Sequence, residues 1–329
     1  MTGTTTTGSG APLGRSPYPI ELSPPAIDAW REGNTGLDYV HSFDSGKPGP
    51  HVMVSAVVHG NELCGAIAVE RLLRDGLRPA AGRLSFGFSN VEAYLHLDLE
   101  RPDAFRFVDE DFNRVWSSEA LESQRDSVEL RRARQLRPFI DGVDRLLDLH
   151  SMQHPCVPLM LAGPAEKGLS FAREVGYPAT IVCDAGHKAG RRLRDYGGFS
   201  DPGSPKNALL VECGQHYEAE AAPVALETTL RFLVATGTVA ASLLADYGFA
   251  AAPAPQTVIQ VTEAVTIETE SFAFLEDYKG LEVIPKAGTV LAEDGGRAVK
   301  TPYDNCVLIM PTRRVRPGNT AVRLGRFLV

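Results

Sequence analysis

Short apolar runs of four to seven residues, rich in Val, Ile and Leu, recur along the chain as far as Val211. They are Val52 to Val58, Leu84 to Phe88, Val143 to Leu149, Ala179 to Val182 and Ala208 to Val211. Runs that do not alternate with polar residues suit strands buried on both faces, and such strands belong to parallel sheets covered by helices. Helix-period segments lie between them: Cys64 to Leu73, Glu119 to Ile140, Ser170 to Val175, and a longer one from about Pro223 to Leu244. This alternation predicts an α/β fold with a mixed, largely parallel sheet flanked by helices. From Thr257 the texture changes to alternating β-type sequence broken by Gly and Pro, so a small C-terminal all-β domain is expected. The resulting division is a disordered tail over 1–17, an α/β domain over 18–249, a Pro-Ala linker over 250–256 and a β domain over 257–329.

Composition narrows the function classes. With 33 Lys and Arg against 41 Asp and Glu, the chain carries a formal charge of -8, which gives no basic field for a nucleic-acid backbone. No apolar run approaches the roughly 20 residues a membrane span needs, and the Thr- and Gly-rich start has no secretory pattern. Five cysteines form an odd set without a CxxC pair, which suits reduced thiols and a cytoplasmic location.

The chemistry is read from where the strands deliver their polar residues. The run through Val58 leads into His59-Gly60-Asn61-Glu62, Leu146 to Leu149 into His150, and Ala208 to Val211 into Glu212. In open α/β sheets, ligands bind outside the carboxyl ends of the strands, so three such ends define a site. His59, Glu62 and His150 form a two-histidine, one-carboxylate set able to hold a catalytic metal with one position left open; zinc, iron and cobalt all suit it. Asp148 is placed to support His150. A carboxylate after four apolar residues is costly unless it works in a cleft, which makes Glu212 the expected general base. Arg106, Asn113 and Arg114 add guanidinium forks and a directional amide that can hold a carboxylate or an oxyanion. His154 does not complete a helical HExxH motif, His216 is a candidate pocket residue, and His41, His51, His96 and His187 read as structural or surface groups. Arg191, Arg192 and Arg194 either read a second carboxylate or form a solvated face.

These motifs, His59-Gly-Asn-Glu62, Arg106 with Asp111-Phe-Asn-Arg114, Asp148-Leu-His150 and Val211-Glu212, stand in the order of the succinylglutamate desuccinylase/aspartoacylase family. That family is related to the zinc carboxypeptidases, and the chain resembles it over roughly residues 50 to 245. The resemblance implies a zinc-carboxypeptidase-like fold and a mononuclear amidohydrolase with one Zn2+ per chain. It would act on a small N-acyl amino acid, with metal ligands His59, Glu62 and His150, Glu212 as general base and acid, and Arg106 polarising the scissile carbonyl. Asn113 and Arg114 would bind a substrate carboxylate, and the C-terminal domain would narrow the entrance, with Tyr303 facing the pocket. Two positions depart from the family pattern: Ser151-Met152 after His150, and Phe112 after Asp111. Two other readings compete, a zinc carboxypeptidase acting on short peptides and a non-catalytic carboxylate-binding protein. The homo-oligomeric state is left open.

Overall fold

In the computed structural model the described residues are 15–186, 189–250, 252 and 255–328. Most of the expected tail, His187 and part of the expected linker lie outside them.

Seven strands precede residue 249: β1 (Val40–Asp44), β2 (His51–Ala56), β3 (Arg83–Phe88), β4 (Arg145–Met152), β5 (Leu159–Leu161), β6 (Thr180–Cys183) and β7 (Asn207–Gln215). Seven follow it: β8 (Thr257–Thr266), β9 (Ala273–Phe274), β10 (Val283–Ile284), β11 (Val290–Asp294), β12 (Arg297–Lys300), β13 (Cys306–Ile309) and β14 (Thr320–Leu328). Helices α1 (Leu63–Arg74), α2 (Val91–Leu95), α3 (Ser118–Leu121), α4 (Val128–Ile140), α5 (Glu166–Val175), α6 (Ala221–Ala235) and α7 (Leu243–Asp246) connect them.

The strands β3, β2, β4 and β7 run parallel at the centre, with β1 antiparallel to β3 and β5 antiparallel to β7 but parallel to β6. Successive side chains point to opposite faces. Val52 and Val54 therefore meet α1, α5 and α6 in one buried cluster. Met53 and Leu146 meet α4 and the Phe112–Trp116 segment in a second cluster on the other face.

The C-terminal strands do not stand apart. β8 pairs in parallel with β6, and β14, β13 and β10 follow it, so one sheet of 11 strands runs through the molecule. A second sheet of three strands, β12-β11-β9, lies beyond it. The expected helix over Glu119 to Ile140 is two helices, because Ser127 interrupts it and caps α4 by accepting from Leu130 N at 3.0 Å. The expected helix to Leu244 likewise ends at Ala235, just before Gly237 turns the chain with a φ of +69°.

Candidate metal centre

Beyond β2 the chain bends at Val57, whose φ of +60° is a conformation that β-branched residues avoid. The bend is held by Asn90, whose N–H donates to the Val57 carbonyl at 2.8 Å. It is followed by the turn that presents His59 and Glu62. A Cβ at Gly60 would lie 2.5 Å from the Phe105 carbonyl oxygen and 2.5 Å from the Ala93 backbone, so only glycine fits. That close approach lets Gly60 N–H donate to the Arg106 carbonyl at 3.0 Å, which ties the turn to the arginine segment.

His150 and Glu212 are not the last residues of their strands as the sequence suggests. β4 continues to Met152 and β7 to Gln215, and the two residues sit opposite each other in the parallel register. Pairing of these two strands is therefore what sets the proton-transfer candidate beside the ligand candidate.

Ligand-type atoms of His59, Glu62 and His150 all lie within 4.8 Å of one another, and all three residues are buried. His59 Nδ1 is 2.8 Å from Glu62 Oε1, and His150 Nδ1 is 2.8 Å from Glu62 Oε2. On the far side of each ring, His59 Nε2 faces Asp111 Oδ1 at 2.9 Å and His150 Nε2 faces Asp148 Oδ2 at 2.9 Å. A ring whose Nε2–H donates to a carboxylate turns the Nδ1 lone pair inward, as in carboxylate-histidine-metal arrangements.

The donor set fits a divalent cation. Three carboxylates, Glu62, Asp111 and Asp148, surround two imidazoles. Burial alone would raise the Glu62 carboxyl, but His59 and His150 outweigh it and hold the group well below its ordinary range. Burial likewise opposes charge on His150, yet Asp148 and Glu62 raise its imidazolium well above the usual value. The centre thus calls for positive charge where the two Nδ1 atoms and Glu62 meet, and a bound cation would supply it in place of protons.

Arg106 donates to Glu62 Oε1 at 3.1 Å and to Asp111 Oδ2 at 3.3 Å, so its guanidinium borders the cluster. Glu212 is 6% exposed, and burial pushes its carboxyl up to about 8, against the opposing pull of His150. Its Oε2 has no hydrogen-bond partner among the described residues, which leaves that oxygen available to a ligand. Asn113 is wedged in place, its Oδ1 accepting from Leu193 N at 2.7 Å and its Nδ2 3.5 Å from His150 Nε2. Arg114 donates to the Asn113 carbonyl at 2.7 Å, and burial lowers its guanidinium to about 10.

Tyr303 is not brought to this cluster. Its ring lies 3.8 Å from the Arg326 guanidinium and its hydroxyl contacts Thr262, so it belongs to a surface cavity of the C-terminal strands. His154 pairs with the Tyr18 hydroxyl at 2.9 Å rather than with a ligand, and His41, His51 and His96 bond to backbone carbonyls. His216 is buried, with Nδ1 2.8 Å from Ser151 Oγ, and burial lowers it to about 3. Neither reading of the arginine run holds for Arg192 and Arg194, which are buried against Asp184 and Asp195 instead of solvated or unpaired. Sequence reasoning missed Asp184, Arg314 and Arg323. Arg314 donates to the Asp103 carbonyl at 3.3 Å and comes, like Arg323, from more than 90 residues beyond Glu212.

Residues 48–235 match the family model described as succinylglutamate desuccinylase/aspartoacylase catalytic domain. A succinylglutamate desuccinylase of Paraburkholderia xenovorans (strain LB400) is 28% identical over 295 residues, which cover 84% of this chain and 81% of that protein. Among solved structures, a succinylglutamate desuccinylase from Vibrio cholerae superposes with a TM-score of 0.66 at 18% identity, covering 88% of this chain and 86% of that one. An aspartoacylase family protein from Mesorhizobium loti gives a TM-score of 0.61 at 19% identity, covering 88% and 89%. At these identities the structural likeness speaks for the fold.

Proposed function

Since this chain belongs to the succinylglutamate desuccinylase/aspartoacylase family, we propose that it is a zinc-dependent amidohydrolase that removes the acyl group from a small N-acyl amino acid. The observation that carries the reading is the convergence of His59 Nδ1, Glu62 and His150 Nδ1, with Glu212 in register beside His150. His59, Glu62 and His150 would hold the ion, one per chain. When bound, zinc supplies Lewis acidity and lowers the pKa of water to about 7.

The chain's own groups do the rest. Asp111 and Asp148 orient the two imidazoles through their Nε2 atoms. Glu212 takes a proton from the attacking water and returns it to the leaving amine nitrogen, a role suited to a buried carboxyl whose proton affinity is raised. Arg106 donates to the oxygen on which negative charge develops as the amide carbonyl is attacked. Asn113 and Arg114 stand on the same wall, where a substrate carboxylate can be held.

The test is a turnover panel of N-acetyl, N-succinyl and N-formyl amino acids alongside short peptides, with metal content measured on the same samples. Zinc near one per chain and release of free amino acid from acylated substrates are expected. Cleavage of peptides alone would favour a carboxypeptidase, and metal binding with no turnover on the panel would favour a binding protein.

A further inference from the structure

Sheet register sets Glu212 beside His150, but it does not place Arg106. That residue follows a short helical turn, Pro102–Phe105, in the stretch between α2 and α3, outside every strand. Its guanidinium nevertheless donates to Glu62 and Asp111 at 3.1 and 3.3 Å. The segment that carries it therefore has to be held against the turn that presents His59 and Glu62.

A chain of side-chain hydrogen bonds joins the two. Asn61 Nδ2 donates to the Tyr217 hydroxyl at 3.0 Å, and that hydroxyl donates to Asp103 Oδ1 at 2.7 Å. Asn61 Nδ2 also reaches Asp103 Oδ1 at 3.5 Å, which closes the three groups into a ring. Asn61 and Tyr217 are fully buried. Burial, with the Asp103 carboxylate beside it, raises the Tyr217 phenol, so the hydroxyl keeps the proton that it donates.

Each member stands next to a different part of the site. Asn61 lies between His59 and Glu62, Tyr217 follows Glu212 by five residues on the chain leaving β7, and Asp103 precedes Arg106 by three. Tyr217 is fixed from both sides of its own backbone. Its N–H donates to Gln215 Oε1 at 2.9 Å, and its carbonyl accepts from Glu21 N at 2.9 Å. The arginine segment is thus tied down twice: the Gly60 N–H holds the Arg106 carbonyl at 3.0 Å, and the Tyr217 hydroxyl holds the turn just before it. Two points of attachment set the direction in which the guanidinium leaves the backbone. One point alone leaves a pivot.

Amide, phenol and carboxylate are all satisfied only while the three segments are docked. Without the hydroxyl, the Asn61 amide and the Asp103 carboxylate face a gap, and polar groups left without partners in such surroundings are costly.

We propose that Tyr217 is a positioning residue: its hydroxyl, between Asn61 and Asp103, fixes the Arg106 segment against the His59–Glu62 turn, so that the guanidinium stands where the attacked carbonyl oxygen gains charge. Tyr217 acts through Arg106 and does not touch substrate. The proposal rests on the deacylase reading of the same site.

The experiment compares wild type with Tyr217→Phe, which removes the hydroxyl and keeps the ring, in the presence and absence of Arg106→Gln. Asp103→Ala breaks the same bond from a half-buried position and replaces Tyr217→Phe if that variant does not fold. Tyr217→Phe is expected to retain metal and KM and to lose about 10- to 100-fold in kcat, since small misplacements of a catalytic group carry penalties of that order. In the Arg106→Gln background the same change should cost no more than about twofold, because the two residues act as one unit. Asp103→Asn keeps an acceptor oxygen and should lose less than Asp103→Ala. Full kcat in a folded Tyr217→Phe protein overturns the proposal, as does an equal loss with and without the Arg106 guanidinium. Hydrogen–deuterium exchange over 102–106 gives a readout that needs no turnover. Faster exchange there in Tyr217→Phe, with the central strands unchanged, is expected, and unchanged exchange over 102–106 overturns the proposal. If wild type turns over nothing on the acylated panel, the deacylase reading fails and exchange alone decides on the role of Tyr217. The same readout decides if Arg106→Gln is too slow to measure.

Discussion

At the scale of single residues, the two histidines and the three acids around them make unequal demands, and substitutions separate them. Glu212→Gln preserves the shape of β7 and removes the proposed proton carrier. It is expected to retain metal and lose about 10²- to 10⁴-fold in kcat, seen by steady-state kinetics beside elemental analysis. Near-wild-type turnover would remove Glu212 from the mechanism. Asp148→Asn keeps the hydrogen-bonding shape but not the charge that orients His150, so metal affinity should fall about 10- to 100-fold by competition with a chelator. His154 gives a pH effect outside the metal cluster. Burial lowers it to about 4, so the folded state prefers the neutral ring. Its contribution is complete above pH 6.5 and is lost as pH falls toward 4, because the unfolded chain binds the proton first. His154→Gln should flatten the fall in urea-unfolding stability between pH 6.5 and 4.5; an identical slope would show that the ring titrates normally.

At the scale of elements, the candidate ligands and the candidate base could be singled out because each lies just after an apolar run that had to be a strand, and strand ends converge in such sheets. β5 was not legible: with three residues after Pro158 it is too short for a periodicity signal. The break before α4 did have a signal, since Ser127 precedes Val-Glu-Leu as an N-cap would, but the apolar spacing on both sides masked it. Arg323 and Asp184 could not be paired from sequence, because their contact depends on β8 joining β6 and β14 joining β8. The loop bearing Arg106 is fixed by an element too. Glu129 of α4 is fully buried and accepts from Val108, Asp109 and Glu110 N–H at 2.7, 3.1 and 3.2 Å. Glu129→Gln turns acceptors of this turn into a donor, at a cost of about 1 to 3 kcal/mol. Chemical unfolding should show that loss, together with a lowered kcat, because Arg106 shares the loop. A stability loss with unaltered kcat would mean that Arg106 is placed without it.

At the scale of the molecule, the texture change near residue 250 suggests two separable domains, and the sheet argues for one cooperative body. β6 would become an open edge if the chain stopped before β8. A buried cluster that joins Met152, Leu161 and Leu210 to Ile259, Val307 and Ile309 would be cut through its middle. Asp184 would also lose one of its two guanidinium partners. An exposed strand edge flanked by freshly uncovered apolar side chains is a template for association with other chains. A chain ending at Phe249 is therefore expected to aggregate or to lose its cooperative melting transition, by size-exclusion chromatography and thermal denaturation. A soluble monomer with a sharp transition would establish instead that residues 18–249 fold alone.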